Sequence, residues 1–229
     1  MQLLYTRLAH RLKGLARPFV RMHVVQTPGQ PISRVFGRDR GLSIDRWWID
    51  RYFERHASER TGRGLEVGGT EYLRAWFPKM QAHHLEFADD GTPDCVVCDL
   101  QVGNPAHAAS FDLLIATQVF NFIYEPRVAI GHAAALLAPG GVMLGSVGGI
   151  SQISRFDADR WGHYQSFTPQ CIERMLREHF AEASVESFGN VDTACAFLHG
   201  LAAEEVDREL LTQHDRDYPV FVCFRAVKG

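Results

Sequence analysis

The stretch FDLLIATQVFNFIYEPRVAIGHAAALLAPGGVMLGSV, Phe111 to Val147, decides how this chain is read. It opens on FDLLIAT, a continuous apolar run of the kind that a parallel strand covered on both faces requires. PRVAIGHAAALL follows with helical character. APGG stops it, because Pro139 and the glycines cannot continue a helix. GVMLGSV then returns to a strand. A strand, a helix and a second strand joined this closely make one right-handed crossover unit.

The same alternation extends outward in both directions. Upstream, GLEVG, HHLEF and DCVVCDL read as three further strands. Downstream, TPQCIERMLREHF is a helix with Thr168 as N-cap and Pro169 at its first position. ASVESF and YPVFVCFRAV are the last strands, and DTACAFLHGLAAEEVDRELL between them reads as a helix or helix pair. The expected fold is α/β: a Rossmann-like, doubly wound, mostly parallel seven-stranded sheet with helices on both faces, over residues 61–229. Residues 1–60 form an N-terminal helical extension. It comprises a basic helix, a Pro/Gly-rich loop (TPGQPISRVFGRDRGLS) and a cap helix with Trp48, Ile49, Tyr52 and Phe53 on its apolar face and Asp45 in its first turn.

Composition limits the function classes. The chain has 229 residues, 46% of them hydrophobic and 22% charged, which supplies a well-buried core. A net charge of −3 gives no electrostatic footprint for nucleic acid. No apolar run is long enough to span a bilayer, and no signal-peptide core stands at the start. The five cysteines, Cys95, Cys98, Cys171, Cys195 and Cys223, are scattered. The C-x-x-C of Cys95 and Cys98 lies in a strand-like run, and no second pair completes a zinc site, so these are core cysteines and no metal is expected. Free thiols imply a reducing, cytoplasmic setting.

The opening segment carries Arg7, Arg11, Lys13, Arg17 and Arg21, and no acidic residue precedes Asp39. Leu4, Leu8, Leu12, Leu15 and Phe19 recur at helical spacing. This basic amphipathic helix either packs on the domain or attaches peripherally to an anionic membrane surface or a phosphorylated or lipid-linked substrate. His132, His199 and His214 fall on helical or turn positions and are read as structural. AAEEVDRELL is read as a charged, solvated helix face.

In such sheets ligands bind beyond the carboxyl ends of the strands. Those ends read Glu66-Val67-Gly68-Gly69-Thr70, His84-Leu85-Glu86, Asp99-Leu100, Thr117-Gln118 and Ser146-Val147-Gly148-Gly149. Acids suit ribose hydroxyls, an adenine amine or a cationic cofactor, whereas a pyrophosphate wants free N–H groups and positive charge. No G-x-G-x-x-G and no G-x-x-x-x-G-K-[ST] occurs, which disfavours nicotinamide and nucleotide-triphosphate cradles.

From about Arg34 to Lys228 this order of features resembles the class I S-adenosylmethionine-dependent methyltransferases. LEVGG stands for the family's first glycine motif, VVCDL for the acidic end of the third strand, and the Phe111–Val147 block for the fourth strand, its helix and the fifth strand. The segment DRWGHYQSFT resembles a bacterial subgroup with a D-x-W-G-x-Y-x-x-F-T pattern, often found with sugar and cell-surface polysaccharide biosynthesis. SRVFGRDRGLSIDRWWIDRYF is similar to that subgroup's N-terminal cap.

The resemblance implies S-adenosyl-L-methionine as cofactor, S-adenosyl-L-homocysteine as product, and O-methylation of a sugar or glycan intermediate. It implies that Glu66 orders the glycine loop and that Gly68 and Gly69 admit the methionine part of the cofactor. Asp99 and Leu100 would contact adenine, and Thr117 and Gln118 would line the methionine end. The ribose acid of the family is not in its usual place: His84 stands near it, and Glu86, on the same face of the strand, substitutes. A methyltransferase-like scaffold that binds a partner enzyme or a glycan is the second reading, motivated by the short glycine motif. The expected partners are a small-molecule or glycan substrate and no nucleic acid, and a homodimer is compatible with this reading.

Transfer of a methyl group to a hydroxyl needs alignment and a base. His163 is the candidate base, with Tyr164 beside it. Tyr164 and Arg160 are candidates to shape a sugar pocket, Trp161 reads as an anchor of the loop, and Asp157 and Asp159 as bases or caps. Asn121 and Tyr124 are placed to touch substrate.

Overall fold

The structure, a computed structural model, describes residues 29–58 and 60–229. The basic amphipathic helix expected at the N-terminus lies outside the described residues. The chain forms two compact units.

The larger unit, residues 51–149, 153–187 and 221–229, holds the sheet. Its strands are β1 (Arg63–Val67), β2 (Gln81–Glu86), β3 (Cys95–Val97), β4 (Phe111–Thr117), β5 (Leu137–Gly148), β6 (Glu182–Phe188) and β7 (Phe221–Val227). They lie in the order β3-β2-β1-β4-β5-β7-β6. β1 to β5 pair in parallel, and β7 runs antiparallel to β5. The helices are α1 (Ile44–His56), α2 (Glu71–Trp76), α3 (Pro126–Leu136), α4 (Arg155–Trp161), α5 (Pro169–Arg177), α6 (Val191–Leu198) and α7 (Arg208–Thr212). The chain leaves the smaller unit within α1.

The core follows from the apolar runs. β4 is buried along most of its length, as its uninterrupted FDLLIAT requires. Leu65, Leu114, Ala116, Met143, Val222 and Phe224 join Ala129, Ile130 and Ala133 of α3 and Ile172 and Leu176 of α5 in one hydrophobic cluster. Thr168 caps α5 as expected, accepting from the Cys171 N–H.

The structure sharpens three local readings. The helix stops at Leu136, before APGG, and β5 starts earlier than the expected GVMLGSV: it begins at Leu137, opposite Phe111, with a register shift between Phe111 and Leu113. β3 is only Cys95–Val97, so Cys98 lies past its end; Cys98 is buried while Cys95 is half-buried. DTACAFLHGLAAEEVDRELL takes the helix-pair form of its two readings: α6 and α7 with a 3-10 turn at Ala203–Glu205 between them, because Gly200 takes a φ of +72° and ends the first helix.

The smaller unit contains the described residues 29–50 with 150–152 and 188–220. Here Trp48 donates its indole N–H to the Leu211 carbonyl at 2.9 Å and lies against Phe188. Arg40 is buried and forms a forked pair with Glu205 at 2.7 and 2.9 Å. Glu205 was expected on a solvated helix face; instead its carboxylate is sealed inside and also accepts from the Ala202 N–H at 2.8 Å.

Candidate active site

The switch point of the sheet lies between β1 and β4, where strand order reverses. Everything described in this subsection belongs to the larger unit.

β1 ends at Val67, and Gly68 turns the chain with a φ of +80°. A side chain there would be strained, yet a Cβ would meet nothing within 4 Å. The backbone of Gly68 therefore faces open space, as a loop built for close approach of a ligand should. Gly69 is different: a Cβ on it would strike the Glu71 carboxylate. Thr70 donates its N–H to that carboxylate at 3.1 Å. Glu66 is 3% exposed, and its two oxygens accept from the N–H groups of Tyr72 at 3.3 Å and Leu73 at 2.9 Å. It thus ties the end of β1 to α2 and holds the glycine loop between them.

β2 ends on Glu86, opposite Val97 of β3. The Glu86 carbonyl accepts from the Cys98 N–H, but its half-buried carboxylate has no partner among the described residues. His84 is already committed, with Nε2 at 2.8 Å from Asp90 Oδ2. Of the two residues considered for the ribose position, Glu86 is the one at the strand end with a free carboxylate.

Asp99 follows β3. One oxygen accepts from the Gln101 N–H at 2.8 Å, which fixes the carboxylate, and the other has no partner among the described residues. Leu100 is 3% exposed and belongs to the hydrophobic cluster, so its side chain offers no face to a ligand; only its main chain remains for that role. Its carbonyl meets His132 Nδ1 at 2.7 Å, a structural position for that histidine.

β4 ends at Thr117, half-buried, and Gln118 adopts a φ of +54°. That conformation is uncommon for a residue with a side chain. It is held by the Gln118 N–H donating to the Ser146 carbonyl at 2.8 Å. Asn121 is then fully buried, not exposed to substrate as expected. Its amide accepts from the Gly148 N–H and donates to the carbonyls of Gly148 and Gln165. Its own carbonyl accepts from the Tyr164 and Gln165 N–H groups. One side chain thereby joins the ends of β4 and β5 to the segment that carries His163. Only the placement of Asn121 just past a strand end signalled this role.

His163 stacks edge-on against Phe122, with centroids 5.0 Å apart. Its Nδ1 is buried and without a hydrogen-bond partner. Burial pushes the imidazole below its ordinary pKa, while the nearby Asp157 carboxylate pulls the other way. The ring is therefore held neutral, the form a base requires. Tyr164 is half exposed and meets Tyr124 edge to face at 5.5 Å. Gly162, with a φ of +89°, leaves room for the Tyr164 ring, which a Cβ would strike. Trp161, expected as an anchor, is 47% exposed and touches Phe156, over which the Arg160 guanidinium lies. Asp157 accepts from the Ser154 hydroxyl at 2.5 Å, a side-chain bond that caps no backbone N–H, and Asp159 pairs with Arg155.

Residues 64–145 match a family model described as a methyltransferase domain. No curated protein matches the sequence. Among solved structures, the chain is similar to the N-methyltransferase NodS of Bradyrhizobium japonicum in complex with S-adenosyl-L-homocysteine. Identity is 14%, the TM-score is 0.51, and the match covers 82% of this chain and 88% of that one. A SAM-dependent methyltransferase from Archaeoglobus fulgidus matches with 12% identity and a TM-score of 0.52 over 80% of this chain and 94% of that one. Phosphoethanolamine N-methyltransferase 2 of Haemonchus contortus, in complex with S-adenosyl-L-methionine, matches with 16% identity and a TM-score of 0.52. The match covers 80% of this chain and 52% of that one, so this chain spans about half the length of the Haemonchus enzyme. The fold is that of the Rossmann-like methyltransferases.

Proposed function

We propose that the chain is an S-adenosyl-L-methionine-dependent methyltransferase that methylates a hydroxyl oxygen of a sugar or glycan intermediate. The observation that carries the methyltransferase reading is the open left-handed Gly68 at the end of β1, flanked in strand order by the free carboxylate of Glu86. Such a set fits a cofactor with a cationic sulfonium, a ribose and an adenine, and lacks the positive charge that a pyrophosphate needs. The match of residues 64–145 to a methyltransferase domain supports the same class.

When bound, the cofactor supplies an electrophilic methyl group on sulfur. Glu86 would accept from the ribose hydroxyls, Asp99 would accept from the adenine amine, and the Gly68 backbone would admit the methionine part. Thr117 and Gln118 would border that end after β4. The neutral imidazole of His163 would take the hydroxyl proton as the acceptor oxygen gains the methyl group, leaving S-adenosyl-L-homocysteine as product. The half-exposed rings of Tyr124 and Tyr164 favour a sugar acceptor, since aromatic faces receive the C–H groups of a pyranose.

Calorimetric titration with S-adenosyl-L-homocysteine tests the class: saturable binding is expected, and silence from pure folded protein would overturn it. Nuclear magnetic resonance of the product made with methyl-labelled cofactor distinguishes an O-methyl from an N-methyl or C-methyl group.

A further inference from the structure

Away from the glycine loop, the outer edge of the sheet gathers three side chains of metal-ligand type. β3 is the edge strand, and it pairs with β2 so that His84 stands opposite Cys95 in register. The connection between them turns back over this pair. Gly91, with a φ of +80°, allows the turn, and its N–H donates to Asp89 Oδ1 at 2.8 Å. Asp90 is fixed by the Thr92 N–H at 2.9 Å and the Thr92 hydroxyl at 2.7 Å, both donating to Oδ1. That leaves Oδ2 aimed at His84 Nε2, at 2.8 Å. His84 Nε2, Asp90 Oδ2 and Cys95 Sγ all lie within 4.8 Å of one another.

We propose that His84, Asp90 and Cys95 form a site for zinc or a similarly thiophilic divalent cation. The donor set is one imidazole, one carboxylate and one thiolate, which selects such ions over magnesium or calcium. Tetrahedral zinc, with bonds of about 2.0 Å to N and O and about 2.3 Å to S, sets its donors about 3.3–3.5 Å apart. The histidine–aspartate pair therefore opens slightly and the thiolate closes in, motions that side-chain rotations supply. Three protein donors leave the fourth position to water. The arrangement explains why the C-x-x-C does not act as a unit: Cys98 is 2% exposed within the core, and Cys95 alone faces the histidine and the aspartate. The ion cross-links two strands and the loop that joins them. Glu86 follows His84 on β2 and Asp99 follows Cys95, so the site braces the connection between the two carboxylates without using either. It stands independently of whether a methyl donor binds.

The test uses untagged, chelator-treated protein titrated with cobalt(II) alone, as a spectroscopic substitute for zinc. Saturation at one ion per chain is expected, with a thiolate-to-cobalt charge-transfer band and the intense visible bands of a tetrahedral ion. Cys95→Ser removes the charge-transfer band, His84→Ala and Asp90→Asn each weaken binding at least tenfold, and Cys171→Ser changes nothing. In the wild type, zinc protects Cys95 from alkylation but leaves Cys171 and Cys195 reactive, which mass spectrometry reads without any variant. Absence of the band, its survival in Cys95→Ser, or equal alkylation of Cys95 with and without zinc would reduce the trio to an ion pair beside a thiol.

Discussion

The Asn121 carboxamide and the Gly148 peptide are joined twice: the Gly148 N–H donates to Asn121 Oδ1 at 2.9 Å, and Asn121 Nδ2 donates to the Gly148 carbonyl at 3.1 Å. A third bond runs from Nδ2 to the Gln165 carbonyl at 2.8 Å. Truncation strands these partners in a buried setting, where each orphaned group costs about 1–3 kcal/mol. Asn121→Ala is therefore expected to destabilise the fold by about 3 kcal/mol in denaturant unfolding. Asn121→Asp keeps the acceptor and loses both donors, so it too is expected to destabilise. Because the same residue holds the segment that carries Tyr164, any methyl transfer falls further than cofactor binding in Asn121 variants.

Gly68→Ala separates backbone strain from steric fit. The left-handed φ costs an L-residue about 1–2 kcal/mol, and no neighbour adds a clash. Stability should fall by that amount only. Binding of S-adenosyl-L-homocysteine should fall more, because the new methyl enters the open space that the cofactor needs. Equal losses in unfolding and in calorimetry would argue that the loop has no ligand.

The two free carboxylates make a graded pair. Asp99→Ala is expected to abolish detectable cofactor binding. Glu86→Gln should weaken it by about tenfold, the effect of about 1.4 kcal/mol from a charged hydrogen bond reduced to a neutral one. His84→Gln should leave it unchanged, since that ring faces Asp90. Isothermal titration of the three variants orders them, and a His84 effect larger than the Glu86 effect would exchange their roles.

The fold was legible where one period ruled. FDLLIAT, the helix after it and GVMLGSV could be placed because burial on both faces leaves no polar alternation to confuse a parallel strand. The start of β5 was hidden because a register shift at Phe111 is set by the partner strand, not by the residues of APGG. The positions of Glu66, Glu86 and Asp99 at or near strand ends were legible, whereas the ligand roles given to them came from the family resemblance. Asn121, Arg40 and Glu205 could not be placed, because each pairs with residues far away in sequence, and a charged or amide side chain looks solvated until its partner is known. Leu100 shows the converse: it lies three residues past the end of β3, and its side chain turns into the core.

The pH dependence of stability follows from three histidines. Burial lowers the pKa of His56, His83 and His163 below the ordinary 6.5. The unfolded chain then binds more protons than the folded one as pH falls through 6.5, so stability is full above that value and declines below it. The decline continues down to the lowered folded-state values and levels off there. His163→Asn, which does not titrate, should make the decline shallower in denaturant midpoints collected from neutral to mildly acidic pH. An unchanged slope would mean that the His163 ring protonates freely in the folded protein.

In the smaller unit, Arg40 and Glu205 present the sharpest single-site test. Their side chains are 3% and 0% exposed. The guanidinium donates to both Glu205 oxygens and also to the Gly200 carbonyl at 2.6 Å, while Glu205 accepts from Ala202 N–H as well. Every polar atom of the fork is thus used, and the carboxylate holds the arginine pKa above its ordinary value. Removing Glu205 leaves the buried guanidinium its longer contact from Nη1 to Asp39 at 3.4 Å, and breaking such a buried pair costs about 3–5 kcal/mol. Glu205→Ala should therefore unfold this unit far more readily than Glu204→Ala, although the two glutamates are adjacent and equally charged. Replacing both members of the pair with apolar residues, as in Arg40→Met with Glu205→Leu, should recover most of the loss, because neither buried charge of the fork then remains, and Asp39, 20% exposed, keeps its bond from the Ser33 hydroxyl. A double variant no more stable than Glu205→Ala alone would show that the hydrogen bonds to Gly200 and Ala202, rather than the paired charges, hold this part of the chain.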